Sequence, residues 1–180
     1  EDNSPKPATR EVLAVLDYVA EKEPNHPGAN HYYIHAAEAV HPDLATPSAD
    51  KLTKMELPAG HLVHMPSHIY IRLGRYHDAA IANHNAINVD DEYIERCNIQ
   101  GMYPAAYYPH NIHFLWFAAS MEGRSEVSIA AARKLITKTP KAMLKKATRL
   151  ERFFTIPYFS LVRFGKWDEM LAEPQPDEDL

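Results

Sequence analysis

Histidine is the residue type whose number and spacing in this chain could support chemistry. Eleven histidines occur among 180 residues. His31 and His35 are four positions apart, whereas His61, His64 and His68 stand at i, i+3 and i+7. Residues with these separations share one face of an α-helix, so each group would present its imidazoles along one stripe. A neutral imidazole is the commonest protein ligand of transition metals, so the spacing indicates metal binding.

The same segments lack the acid or base that hydrolytic chemistry requires. HYYIH and HMPSH share the histidine spacing of the zinc-protease helix but have no glutamate after the first histidine. A metal-dependent enzyme would need another acid or base nearby, for which Glu38 and Asp50 are the candidates. No glycine-rich phosphate loop occurs, and six glycines leave little room for one. We therefore expect a non-catalytic protein and keep a metal-dependent enzyme as an alternative.

Helices must position these histidines, and the hydrophobic pattern predicts helices along most of the chain. Apolar residues at the helical period predict a first helix over 9–22, and the period resumes over 31–40. Residues 48–55 form the expected return helix. The next predicted helix ends at Gly74, and four alanines between 79 and 86 give the following helix a small-residue face. The last two helices therefore form a predicted hairpin.

Pro66 leaves two possible starting points for the helix that carries His68. If the helix begins near Leu62, the proline lies in its first turn, where its missing N–H removes no hydrogen bond. If the helix begins at Pro66, then His61 and His64 belong to the preceding loop. In both cases these two histidines remain close to His68.

The bend segment 74–79 reads GRYHDA and is followed by Ala86. This segment resembles the tetratricopeptide repeat, in which a glycine and an aromatic residue mark the bend and small residues let paired helices approach closely. Similar bends occur at 123–128 and 165–170, each followed by a proline. The bends are 49 and 42 residues apart, against about 34 in an uninterrupted array, so insertions at 92–108 and 141–148 are expected.

This resemblance implies an all-α, right-handed superhelix of tetratricopeptide-like helical hairpins. The predicted repeat units are 28–58, 60–91, 109–140 and 151–174, within one domain over 1–180 that belongs to a longer array. In such repeats the first helix of each unit lines a concave groove. The family consists mainly of binding and scaffold proteins, so the resemblance also favours a binding role.

Carried over residue by residue, the resemblance places seven of the histidines in that groove, with Glu38 at its edge. Counted back from the bend glycines, His110 and His113 match His61 and His64. A groove with this lining could bind a transition metal such as Zn, Cu, Ni or Fe. The predicted metal ligands are His31, His35, His61, His64, His68, His110 and His113.

The same groove could instead bind a protein or peptide without any metal. The imidazoles would then be hydrogen-bonding or pH-sensitive contacts. Nearby tyrosine and asparagine side chains could satisfy them, namely Tyr32, Tyr33, Tyr70, Asn30 and Asn111. A metal-bearing small molecule is a further candidate ligand.

Composition excludes several other classes of function. The net charge of −5 argues against nucleic acid as the main partner, because phosphate binding needs a basic surface. The basic stretch 133–152 is local and is interpreted as a solvated helix face. No apolar run approaches the roughly 20 residues of a membrane-spanning helix. One cysteine, Cys97, excludes an internal disulfide and a cysteine-based zinc finger but leaves the cellular compartment undetermined.

Overall fold

The computed structural model describes residues 6–139 and 148–175, with Pro7, Thr148 and Arg149 described by their backbone only. Most of the predicted insertion at 141–148 and part of the basic stretch 133–152 lie outside the described residues, as do the two ends of the chain. The structure is 80% helical, and no strand occurs in the described ranges. The all-α prediction is therefore confirmed.

Ten α-helices lie within the described part of the chain. They are α1 (Pro7–Lys22), α2 (Pro27–Ala37), α3 (Thr46–Thr53), α4 (Gly60–His64), α5 (Pro66–Arg72), α6 (Tyr76–Cys97), α7 (Tyr108–Glu122), α8 (Ser125–Lys138), α9 (Ile156–Arg163) and α10 (Trp167–Ala172). Two 3-10 helices cover Pro42–Ala45 and Thr148–Thr155, and a π-helical turn covers Tyr103–Tyr107. None of the described helices combines the length and hydropathy needed to cross a bilayer.

Prolines mark where many of these helices begin. A proline occupies the first turn of α1, α2, α3, α5, α7 and α9, where its missing N–H costs no hydrogen bond and its φ is already helical. The two predicted starting points near Pro66, at Leu62 and at Pro66 itself, are each correct in part. His61 and His64 lie on the short helix α4, and His68 lies on α5, which Pro66 begins. Met65 between the two helices keeps a right-handed helical backbone.

Glycines end a helix at each of the three predicted bends. Gly74, Gly123 and Gly165 have φ angles of 74°, 79° and 65°, a left-handed conformation that residues with a Cβ adopt at a cost. They separate α5 from α6, α7 from α8 and α9 from α10. The three helix–turn–helix predictions are therefore confirmed. The stacking of such hairpins into a right-handed superhelix stays a prediction.

The chain forms two compact units, Glu1–Ala86 and Ile87–Leu180, with the boundary inside α6. In the first unit α2 packs against α1 and α3, and α5 packs against α2 and α3. The predicted small-residue face of α6 is buried, with its four alanines at most 3% exposed. The rest of this core consists mainly of Ile34, Ala37, Ala45, Ala49, Leu52, Met65, Ile69 and Tyr70.

In the second unit α7 packs along α8, α8 contacts α9, and α9 contacts α10. A buried carboxylate in this unit is paired. The carboxylate of Asp90 accepts hydrogen bonds from the Tyr103 hydroxyl at 2.6 Å and the Asn111 amide at 2.7 Å. Burial raises the pKa of Asp90. In the described part of the basic stretch, Arg133 pairs with Glu173 at 2.6 Å.

Candidate metal centre

Five of the predicted ligands lie together in the first unit. Their imidazole rings form a closed circuit, in which neighbouring ring centroids are separated by 4.7 Å for His31–His35, 6.0 Å for His35–His68, 4.8 Å for His68–His64, 6.2 Å for His64–His61 and 5.0 Å for His61–His31. His31 and His35 lie on α2, His61 and His64 lie on α4, and His68 lies on α5. Residues 30 or more positions apart in the chain thus share one small volume.

Helix packing brings these rings together. Each of α2 and α5 carries a fully buried isoleucine, Ile34 and Ile69, next to its histidines. The two helices pack against each other and against α3. Burying these apolar stripes places the neighbouring histidine stripes side by side. The position of the imidazoles is therefore a consequence of the core.

His64 and His68 form one close pair within the circuit. Their Nε2 atoms are 2.9 Å apart, and His64 is fully buried. The Nδ1 atom of His64 lies 2.6 Å from the side-chain oxygen of Asn83. The Asn83 amide nitrogen donates to the Ala79 carbonyl at 2.7 Å, which fixes the amide oxygen towards His64. An amide oxygen can only accept, so Nδ1 of His64 carries the proton.

A carboxylate is the hydrogen-bond partner of Nδ1 of His68, as the Asn83 amide oxygen is for His64. The Nδ1 atom of His68 lies 2.7 Å from Oε2 of Glu38. Burial alone would raise the pKa of Glu38, but the hydrogen bond with His68 and the charges of His68, His35 and Arg72 outweigh it and lower the pKa. Glu38 is therefore ionised at neutral pH, and Nδ1 of His68 donates to it.

Because Asn83 and Glu38 bind the Nδ1 atoms, the Nε2 atoms of His64 and His68 face each other. With Nδ1 of both rings engaged by these partners, the two Nε2 atoms lie 2.9 Å apart. At this distance the two nitrogens must share a proton or a metal ion between them. Two nitrogens bound side by side to one ion at metal–nitrogen distances of about 2.0–2.1 Å would be about 3 Å apart. The observed spacing fits two ligands of one metal ion.

His31, His35 and His61 form a second group on the other side of the circuit. The Nε2 atoms of His31 and His61 are 3.2 Å apart, and each of the three residues offers a ligand nitrogen within 4.8 Å of the others. Burial lowers the pKa of His61 to about 4, and the charges of His31, His35 and His68 add to this effect. Burial also lowers the pKa of His31. Both rings are therefore neutral at pH 7, the state that metal binding requires.

His110 and His113 lie on α7 in the second unit. The ring of His113 packs 5.2 Å from Trp116 and 5.1 Å from Phe153 between ring centroids. Burial lowers the pKa of His113 to about 4. The ring of His110 lies 4.5 Å from Phe114. The assignment of these two histidines as metal ligands stays a prediction.

Sequence reasoning missed Asn83, which holds the orientation of His64. The residue is fully buried and interrupts the alanine face of α6. A polar residue in a small-residue face that must be buried was the available signal. Ser67 lies beside the same contact, with Oγ 3.3 Å from Nδ1 of His64. Tyr70, one of the candidate partners for an imidazole, donates to Asp50 at 2.8 Å.

Comparison of the chain with protein-family models, with curated proteins and with solved structures found no match. The five histidines of the circuit, His31, His35, His61, His64 and His68, are called the histidine cluster below, and their geometry is the basis for a function.

Proposed function

We propose that this chain is a non-catalytic binding protein with tetratricopeptide-like hairpins, and that the histidine cluster of its first unit binds a transition-metal ion. One observation carries the proposal. The Nε2 atoms of His64 and His68 face each other at 2.9 Å while Asn83 and Glu38 hold the opposite nitrogens. A metal ion between the two rings would take the place of a shared proton and form a coordinate bond to each Nε2 atom.

The groups behind the two ligands support a metal site. Metal-bound histidines generally donate their other N–H to a carboxylate or a carbonyl oxygen, which fixes the tautomer and makes the ligand more basic. His64 and His68 have one partner of each kind, the Asn83 amide oxygen and the Glu38 carboxylate. Histidines that only form hydrogen bonds with one another would not need an acceptor at Nδ1 of both rings.

The donor atoms favour a late first-row metal. The cluster offers neutral imidazole nitrogens, which suit Zn²⁺, Cu²⁺ and Ni²⁺ better than the oxygen-seeking Mg²⁺ or Ca²⁺. Affinity for such ligands rises along the first row to Cu²⁺. Glu38, ionised and hydrogen-bonded to His68, would offset part of the charge of the ion.

The nearby carboxylates have roles that fit binding better than catalysis. Glu38 accepts the His68 N–H at 2.7 Å and so orients a ligand. Asp50 accepts hydrogen bonds from Tyr70 at 2.8 Å and Arg75 at 2.9 Å, which tie α3 to the bend before α6. Both of the carboxylates predicted as candidate acids or bases are thus used to hold structure.

Metal analysis tests this proposal. Chelator-treated protein is dialysed to equilibrium against Zn²⁺, and its metal content is measured by mass spectrometry. We expect at least one Zn²⁺ per chain, with one ion lost in the His64→Ala/His68→Ala variant. The His77→Ala/His84→Ala variant, which changes two exposed histidines of α6, is the matched control and should keep the wild-type content. Wild-type protein that binds no Zn²⁺, Cu²⁺ or Ni²⁺ would contradict the proposal and leave peptide binding as the alternative.

A further inference from the structure

We infer that the histidine cluster is a two-ion centre, in which His31, His35 and His61 bind a second metal ion beside the one held by His64 and His68. The inference rests on the proposed function, because it assumes that the cluster binds transition metals. Beyond metal binding itself, it gives the number of ions as two and assigns each of the five histidines to one ion.

The spacing of the rings separates the cluster into two groups. The shortest centroid separations are 4.7 Å for His31–His35, 5.0 Å for His31–His61 and 4.8 Å for His64–His68. Imidazoles bound to one tetrahedral ion would have centroids about 5 Å apart, given metal–nitrogen distances of about 2.0–2.1 Å. The remaining separations are longer, namely 6.0 Å for His35–His68, 6.2 Å for His61–His64 and 6.3 Å for His35–His61. A tetrahedral ion takes four ligands, so one such ion cannot bind all five rings.

Each group also has its own close pair of ligand nitrogens. The Nε2 atoms are 3.2 Å apart in His31–His61 and 2.9 Å apart in His64–His68. Both distances match two ligands on a single ion, and the two pairs share no residue. His31 is the middle ligand of its group, since His35 and His61 flank it with centroids 6.3 Å from each other.

The two groups differ in their access to solvent. His64 is fully buried, whereas the His35 side chain is 42% exposed. His35 also lines an apolar groove of about 1030 Å³ formed by α1, α2 and the turn after α2, together with Val12 and Tyr32. The second ion would therefore keep a position open to solvent, and the first would be enclosed.

Counting ions in paired variants tests this division. Chelator-treated wild type should bind two Zn²⁺ per chain, as measured by equilibrium dialysis and mass spectrometry. His31→Ala/His61→Ala and His64→Ala/His68→Ala should each keep one. Two results would overturn the inference and leave the proposed function standing: one ion per wild-type chain, or one double variant that loses both ions. No ion in the wild type would overturn both proposals.

If the double variants lose their helical circular dichroism, a single substitution of a partly exposed ligand provides the test instead. His35→Ala removes a partly exposed ligand of the second ion only. Zn²⁺ titration against a chromophoric competitor should then show one binding step weakened at least tenfold and the other unchanged. Two unchanged steps, or two steps weakened equally, would overturn the assignment of His35 to a separate second ion.

Discussion

At the scale of single residues, the proposed metal centre depends on which ring nitrogen carries the proton. Asn83 and Glu38 each accept from Nδ1 of a histidine, and this leaves Nε2 of His64 and of His68 to face each other. A hydrogen bond to the outer nitrogen thus decides what the inner nitrogen can bind. The proposed affinity for metal therefore depends on residues that would not touch the ion.

Replacing Glu38 with Gln tests this dependence. The Glu38→Gln side chain keeps its length and can still accept from His68 through its amide oxygen, but it loses the negative charge. We expect the dissociation constant for Zn²⁺ to rise roughly 10- to 100-fold, the usual cost of losing such a partner. Competition titration measures the change. Glu21→Gln, at a side chain that is 71% exposed on α1, should bind Zn²⁺ like the wild type. Equal affinity in the two variants would contradict this role of Glu38.

Buried neutral histidines also predict a loss of stability in acid for the metal-free protein. The pKa of His113 is lowered to about 4 from 6.5, so the unfolded chain takes up a proton first as the pH falls. The stabilising contribution is fully present above pH 6.5 and is lost as the pH falls towards 4. His113 alone should contribute a slope of about 1.4 kcal/mol per pH unit in that window.

The His113→Phe variant isolates this contribution, because a phenyl ring can pack between Trp116 and Phe153 without titrating. Urea unfolding of chelator-treated protein at several pH values should give a flatter dependence of unfolding free energy on pH. His84→Phe, at an exposed position of α6, should keep the wild-type slope. If His113→Phe also kept that slope, His113 would not be a buried neutral group.

The histidine positions could be predicted from spacing, whereas their partners could not. Helical periodicity alone placed His64 and His68 on one stripe. Asn83 is 19 residues from His64 and meets it only because α6 returns along the first unit. No local pattern encodes that contact. A polar residue among the alanines of α6 was the available signal, but it does not name its partner.

At the scale of helices, proline and glycine determine where elements begin and end. The first helix was predicted to begin at residue 9, but α1 begins at Pro7. Proline is favoured in the first turn because the N–H that it lacks would have no hydrogen-bond partner within the helix. The return helix was predicted over 48–55 and occupies Thr46–Thr53, again with a proline in its first turn. Such shifts of two residues arise because periodicity indicates a helix but not its first turn.

The bend at Gly123 can be tested by adding a side chain. A Cβ atom at this position would meet nothing within 4 Å, so only the φ of 79° opposes it. Gly123→Ala should lower the free energy of unfolding by about 1–2 kcal/mol, the cost of a left-handed backbone for alanine. Gly123→Asn should lose less, because asparagine adopts this conformation more readily. Denaturant unfolding measures both, and an alanine variant as stable as the wild type would contradict the account of this bend.

At the scale of the whole molecule, the chain divides into two compact units, and the five clustered histidines all belong to the first. The repeat-like motifs predicted local hairpins, and three bends have the expected glycine geometry. They carry no information on how successive hairpins stack, since stacking depends on contacts between residues far apart in sequence. The right-handed superhelix therefore stays a prediction.

Metal binding to the folded chain should raise its stability as a whole. An ion that binds only the native state stabilises it by about 2.7 kcal/mol when its free concentration is 100 times the dissociation constant. Zn²⁺ at that excess should therefore raise the midpoint of thermal unfolding, and excess chelator should reverse the shift. The His64→Ala/His68→Ala variant should show a smaller shift than His77→Ala/His84→Ala. Equal shifts in these two variants would place the stabilising ion outside the proposed pair.

The most direct test of the central claim observes the two facing nitrogens themselves. Long-range proton–nitrogen correlation spectra of ¹⁵N-labelled protein at neutral pH report the tautomer of each imidazole and the atom that binds a metal. In Zn²⁺-loaded protein we predict that His64 and His68 both keep their proton on Nδ1 and that both Nε2 resonances shift on metal binding. A proton on Nε2 of either ring, with its resonance unchanged by Zn²⁺, would contradict the account.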